Sequence, residues 1–190
     1  MNDFVFDLPA SVTFGNDAIN RVAQIAARFG SRALLVSEPV QREQNVVQRV
    51  QDLFGRREVN LMVHADIPLR TTSATVNELV SLARASQTQV IVGLGGMRVL
   101  AAARAAAVAV PPRNSLYRLL EGQKPEVAPL PFIEVPTSFR DHFMFKNRFV
   151  ITETESRRAR PIATENAVAR AVLIDPKLSM SVPTNYAAST

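Results

Sequence analysis

The chain has 190 residues, 47% of them hydrophobic and 21% charged, with no cysteine and a formal charge of +5. That length supports one domain with a full core and is too short for two ordinary ones, so residues 1–190 are read as a single α/β domain. The missing cysteine excludes disulfides, thiolate nucleophiles and cysteine-ligated metal. The acidic opening MNDFVFDLPA has no signal-peptide pattern, and the apolar run over 99–112, broken by Arg104 and closed by Pro111-Pro112, is too short to span a membrane. A cytoplasmic protein that meets no membrane is therefore expected. Residues 1–97 carry nine Arg against nine acids, whereas residues 98–190 carry thirteen Lys or Arg against eight acids, so the positive excess lies in the second half. No long block of like charge forms a basic arm, which argues against nucleic acid.

Residues 4–14 read as extended and end at Gly15. Asn16 or Asp17 is then placed to cap a helix whose Ile19, Val22, Ile25 and Ala26 share one face. ALLVSEP (33–39) has the short apolar pattern of a buried parallel strand, and a helix over about 42–54 follows. VNLMVHADIP (59–68) predicts a strand, TTSATVNELVSLARAS (71–86) a capped amphipathic helix, and TQVIVGLGG (88–96) a strand entering a glycine turn. MRVLAAARAAAVAV (97–110) predicts a helix, because alanine favours it. This alternation predicts a Rossmann-like parallel sheet with helices on both faces. The proline-rich stretch 111–130 reads as a connection with one helical turn, and 130–135 as another strand. FVITET (149–154) and AVLIDP (171–176) read as strands with no helix between them, a C-terminal β extension expected to pair at the sheet edge.

In such a sheet, ligands lie outside the carboxyl ends of the strands. Three loops are therefore candidates: Ser37-Glu38-Pro39, the turn from Gly93 to Arg98, and PTSFRDHFMFKNRFVIT from Pro136. Gly95-Gly96 ahead of a helix lets backbone amides approach a phosphate, and the same pattern serves a tight turn without a ligand. Glu38 suits a ribose hydroxyl or a solvated loop position. Thr137 and Ser138 suit satisfaction of a turn backbone. Asp141-His142 lacks a positioned nucleophile, and His64 and His142 are too far apart in sequence to suggest a metal site. No catalytic residue and no metal ligand is assigned.

Several motifs stand in register with one family. VTFGNDAINRV resembles a Phe-Gly-x-Gly-Ala start, and RALLVSEP a strand ending in Thr-Asp. VIVGLGGMRVLAAARAAAV follows a glycine-rich cofactor segment, PTSFRDHFMFKNRFVIT a second cofactor loop, and AVLIDPKLSMSVP the signature Ile-x-Asp-Pro-x-Leu-x-x-x-Leu-Pro. Over about 4–190 the chain resembles the N-terminal, nucleotide-binding half of the iron-containing alcohol dehydrogenases, a family similar to glycerol dehydrogenase and maleylacetate reductase and, more remotely, to dehydroquinate synthase. The resemblance implies NAD(P) bound by Glu38, Gly95, Gly96, Met97, Arg98, Thr137, Ser138 and Arg140. It also implies a following helical domain that gives an Asp and three His to a metal; residues 1–190 are expected to lack that domain.

The departures from the family pattern bear on the cofactor. Met97 and Arg98 replace the third Gly and the Ser of Gly-Gly-Gly-Ser, Ala101 the following Asp, and Arg104 the Lys. In the second loop the family's Pro-Thr-Thr-Ala-Gly-Thr-Gly-Ser-Glu aligns with Pro136 to Met144. Arg140 and His142 there replace both glycines, and Phe139 and Phe143 fill space meant for the nicotinamide end. Such a loop loses conformations that glycine adopts freely. The resulting expectation is no cofactor and a non-catalytic binding or assembly subunit, with a protein partner or self-association. One alternative is an NAD(P)-binding half completed by a separate helical half. Another is a pocket for an anionic small molecule in which Arg98, Arg104, Arg140 and Lys146 converge.

Overall fold

The structure, a computed structural model, describes residues 8, 10–138, 141–165 and 169–179. The strands in chain order are β1 (Ser11–Phe14), β2 (Arg32–Ser37), β3 (Asn60–His64), β4 (Val90–Gly95), β5 (Phe132–Pro136), β6 (Arg148–Thr152), β7 (Ala159–Ala163) and β8 (Ala171–Ile174). Six of them form one sheet in the order β1-β8-β5-β4-β2-β3, all parallel, and β6 and β7 form a separate antiparallel hairpin. The helices are α1 (Val22–Ala26), α2 (Pro39–Glu43), α3 (Val46–Gly55), α4 (Ser73–Ala85), α5 (Met97–Ala109), α6 (Leu116–Leu120) and α7 (Pro176–Ser179). The expected Rossmann-like fold is present.

Strand periodicity explains why both faces are covered. Successive side chains of β2 point to opposite sides: Ala33 and Leu35 join Val22, Val47, Val50 and Phe54 in one core, while Leu34 and Val36 join Val76, Leu79, Leu100 and Ala103 in the other. Each fully buried Leu, Val or Phe contributes about 1.5–3 kcal/mol of hydrophobic stabilisation. The alanines of α5 let that helix lie close to the sheet. A Cβ on Gly93 in β4 would stand 3.1 Å from both Ala103 and Phe132, so the strand is bare where the helix comes nearest.

Four details depart from the sequence reading. The first helix starts as a 3-10 turn, Ala18–Arg21, and neither predicted cap closes it: Asp17 is left-handed (φ 61°) and its carboxylate binds Arg49 and Lys177 instead. The helix expected over 42–54 is two helices, α2 and α3, separated at Asn45, which is also left-handed (φ 60°). The cap of α4 comes from outside its own segment: Thr154 Oγ1 accepts from the Ala74 N–H at 3.0 Å. The supposed edge extension divides. β8 enters the sheet between β1 and β5, whereas β6 pairs with β7, a strand the sequence hides because Arg160 and Pro161 interrupt its apolar pattern. The extended reading of 4–7, Phe139 and Arg140, and the end of AVLIDPKLSMSVP from 180 onward lie outside the described residues.

Candidate functional site

Parallel register aligns the carboxyl ends of the central strands: Ser37 pairs with Leu94, and Gly95 with Pro136. The chain leaves β2 outward to β3 and returns through α4 to β4, so the winding reverses between β2 and β4. This is the switch point where open α/β sheets bind ligands. Glu38 and Gly96 flank it, and they are bonded to each other: the Gly96 N–H donates to Glu38 Oε1 at 3.2 Å. Ser37 Oγ donates to the Leu94 carbonyl at 2.8 Å, and the Thr137 N–H donates to the Gly95 carbonyl at 3.1 Å.

Gly95 has φ +157°, and a Cβ there would sit 2.8 Å from Val99, so this position requires glycine. At Gly96 a Cβ would meet only Ser138 Oγ, at 3.9 Å. Five predicted site residues thus meet: Glu38, Gly95, Gly96, Thr137 and Ser138. The Gly96 amide at this turn therefore already holds a carboxylate. A second anion in the same place would face that negative charge at short range.

Met97 and Arg98 belong to a neighbouring space. A cavity of about 610 Å³ is walled by Met97, Arg98 and Ala101 of α5, by the loop 69–72 ahead of α4, by Phe143, and by residues 150–154 and Arg157 of the hairpin. Arg98 donates through Nη1 to the Leu69 carbonyl. Met97 is 38% exposed and Leu69 is 78% exposed.

Arg104 does not join the predicted arginine cluster. It is 2% exposed, and its Nη2 donates to both carboxylate oxygens of Glu134 (3.1 and 3.3 Å), a residue with no exposure at all. Its Nη1 donates to the carbonyls of Phe143, Lys146 and Arg148 at 3.0–3.3 Å, and its guanidinium lies 5.7 Å from the Phe132 ring centroid. Lys146 offers this arginine only its carbonyl, and Arg98 points elsewhere, so Arg98, Arg104 and Lys146 do not converge. Arg140 lies outside the described residues.

Desolvation pushes the Glu134 carboxyl up to about 7 against the pull of Arg104, and the Asp141 carboxyl beside it adds to the rise. The Asp141 Oδ1 accepts the Phe143 N–H at 2.8 Å and so shapes the loop. The sequence carried a signal for the buried pair, a lone Glu in the strand FIEVP and a lone Arg in an alanine run. Opposite charges in two segments otherwise destined for the core need each other.

Among the described residues, no group of three or more His, Asp or Glu is placed to hold a metal ion. His64 ends β3 and His142 lies in the loop after β5.

The pattern of the iron-containing alcohol dehydrogenases matches residues 9–176. The sulfoacetaldehyde reductase of Bilophila wadsworthia is 22% identical over 188 residues, covering 98% of this chain and 49% of that protein. The NADH-dependent butanol dehydrogenase B of Clostridium acetobutylicum is also 22% identical, with 100% and 49% covered. Among solved structures, the sulfoacetaldehyde reductase from Bifidobacterium kashiwanohense in complex with NAD+ superposes with a TM-score of 0.88 at 20% identity, over 100% of this chain and 50% of that one. The chain spans about half the length of the curated relatives it matches. With a family match over most of its length and the same parallel fold as those structures, this chain belongs to the iron-containing alcohol dehydrogenase family.

Proposed function

We propose that this domain is a non-catalytic binding module in which the ancestral glycine turn no longer receives a nicotinamide dinucleotide. The observation that carries this reading is the Glu38 carboxylate on the Gly96 N–H, an anion of the chain's own where a pyrophosphate would dock. Met97 supports it by placing a long side chain on the first turn of α5, where the family pattern has glycine. Arg104 supports it too, because its charge is spent inside the core on Glu134 rather than offered to a ligand. The residues at the turn do not fit a pyrophosphate in the family's pose. The module then works through what it binds, with a protein partner or a second copy of itself as the expected context.

Isothermal titration of the purified chain with NAD+, NADH, NADP+ and NADPH is the test, and flat heats are expected for all four. A micromolar dissociation constant for any of them overturns the proposal. A second reading, the NAD-binding half of a dehydrogenase completed by a helical half, draws support from the coverage of about half of an NADH-dependent butanol dehydrogenase. The retained Gly95 conformation also favours it. Micromolar NADH binding would make this second reading the better one.

A further inference from the structure

We propose that the cavity beside the glycine turn binds a small amphipathic anion, an apolar acyl or aryl body that ends in a carboxylate. The charge at its mouth points this way. Arg70, Arg98 and Arg157 line the cavity, and none of them makes an ion pair among the described residues. The acidic residue of the lining, Glu153, is already engaged: Arg160 donates to its Oε2 from Nε and Nη2 at 3.1 Å, and Ser156 Oγ donates to the same oxygen. The local field is therefore that of guanidinium groups without a counter-ion.

Arg98 adds to this, because it stands in the first turn of α5, where a cation opposes the helix dipole unless an anion is near. Its Nη1 is anchored on the Leu69 carbonyl, which holds the guanidinium at the rim. A guanidinium fixed in this way presents its remaining N–H groups to a carboxylate, the geometry in which charge-assisted hydrogen bonds are strongest.

The interior asks for the other half of the ligand. The apolar part of the lining is Met97, Ala101, Phe143, Val150 and Ile151, of which Ile151 is buried and Ala101, Phe143 and Val150 are half-buried, and the small Ala101 leaves room against α5. Leu69 and Met97 of the lining are exposed, an apolar surface that a bound body would shield. A volume of about 610 Å³ lies within the range of small-molecule sites, roughly 300–1,000 Å³. Inorganic phosphate would satisfy the rim alone and a neutral alcohol the walls alone. Only an amphipathic acid satisfies both. The inference rests on the proposed loss of dinucleotide binding, since the cavity begins at the helix that follows the glycine turn.

The test compares 3-phenylpropionate, its neutral counterpart 3-phenyl-1-propanol, inorganic phosphate and NADH, by titration calorimetry and by the shift in melting temperature that binding to the folded state must produce. The acid is expected to bind about tenfold tighter than the alcohol and than phosphate, and to lose that advantage at high salt. Arg98→Gln and Arg157→Gln are each expected to weaken the acid about fivefold or more while leaving the alcohol unchanged. Ala101→Phe, which fills the cavity, should abolish both; if that variant does not fold, the two exposed arginine variants carry the test. Equal binding of acid and alcohol, indifference to both arginine changes, or no binding of the acid overturns the cavity proposal. NADH binding with acid binding intact overturns only the reading of the glycine turn.

Discussion

Arg98 and Arg104 stand on the same helix and meet opposite environments. Arg98 sits in the exposed first turn of α5, its guanidinium on the Leu69 carbonyl and facing a cavity. Arg104 sits deep in the middle of the helix, ion-paired to Glu134 and holding two carbonyls of the loop that leads into β6 and that of Arg148, the first residue of β6. The difference lies in where each guanidinium finds its partners. At the helix start, Met97 and Arg98 stand where the family pattern has glycine and serine, and Arg98 makes no ion pair among the described residues. In the helix middle, the arginine at the family's lysine position is a structural strut for the segment that follows β5. The strut cannot be a ligand group, and the surface arginine contributes little to the fold.

The largest expected effect comes from breaking the strut. Arg104→Ala leaves Glu134 buried without a partner and should cost about 3–5 kcal/mol of unfolding free energy, measured by urea denaturation. Arg104→Met combined with Glu134→Leu should recover most of that loss, because the desolvation penalty disappears together with the pair. A loss under about 1 kcal/mol in the single variant would remove the strut from the account.

A smaller effect should appear in pH dependence. Glu134 titrates at about 7 in the fold and near its ordinary value of 4.5 when unfolded, so the folded state binds this proton more tightly. Its contribution is fully present below about 4.5 and is lost as pH rises toward about 7, with a slope of at most about 1.4 kcal/mol per pH unit for one proton. Urea midpoints collected from pH 5 to 8 should fall along this window in the wild type and flatten in Glu134→Gln. Asp17, Glu153 and Glu165 shift the other way, held down by Lys177 and Arg49, by Ser156 and Arg160, and by Lys124 respectively. Their contributions are lost only in acid below that window. A Gln variant with the wild-type slope would assign the titration elsewhere.

The smallest effect sharpens the comparison from the surface side. Arg98→Ala should change unfolding free energy by no more than about 0.5 kcal/mol, since an exposed side chain away from the core rarely contributes more. A cost similar to that of Arg104→Ala would mean that both arginines are struts.

Much of the fold was legible in single stretches. VIVGLGG and ALLVSEP are continuous apolar runs bounded by turn residues, and such runs become strands buried on both faces. The alanine run of α5 was equally plain. Caps and breaks were not: Asp17 and Asn45 carry residue types that suit several turn conformations, and their roles depend on partners far along the chain, such as Arg49 and Lys177 for Asp17. At the site, the meeting of Glu38 with Gly96, Thr137 and Ser138 followed from the order of the strands. The bond between Glu38 and the turn amide did not, because whether a loop carboxylate faces solvent or a nearby N–H is a matter of ångströms.

By itself the sequence determined the α/β class, the parallel strands, the position of the glycine turn and the family, since each rests on local pattern or on motifs in order. Only the tertiary structure decided where the charges went. It placed Arg104 against Glu134, seated β8 inside the sheet and left Arg70, Arg98 and Arg157 around one cavity. A charged side chain's fate depends on desolvation and on partners brought together from distant parts of the chain, and no local pattern encodes those distances.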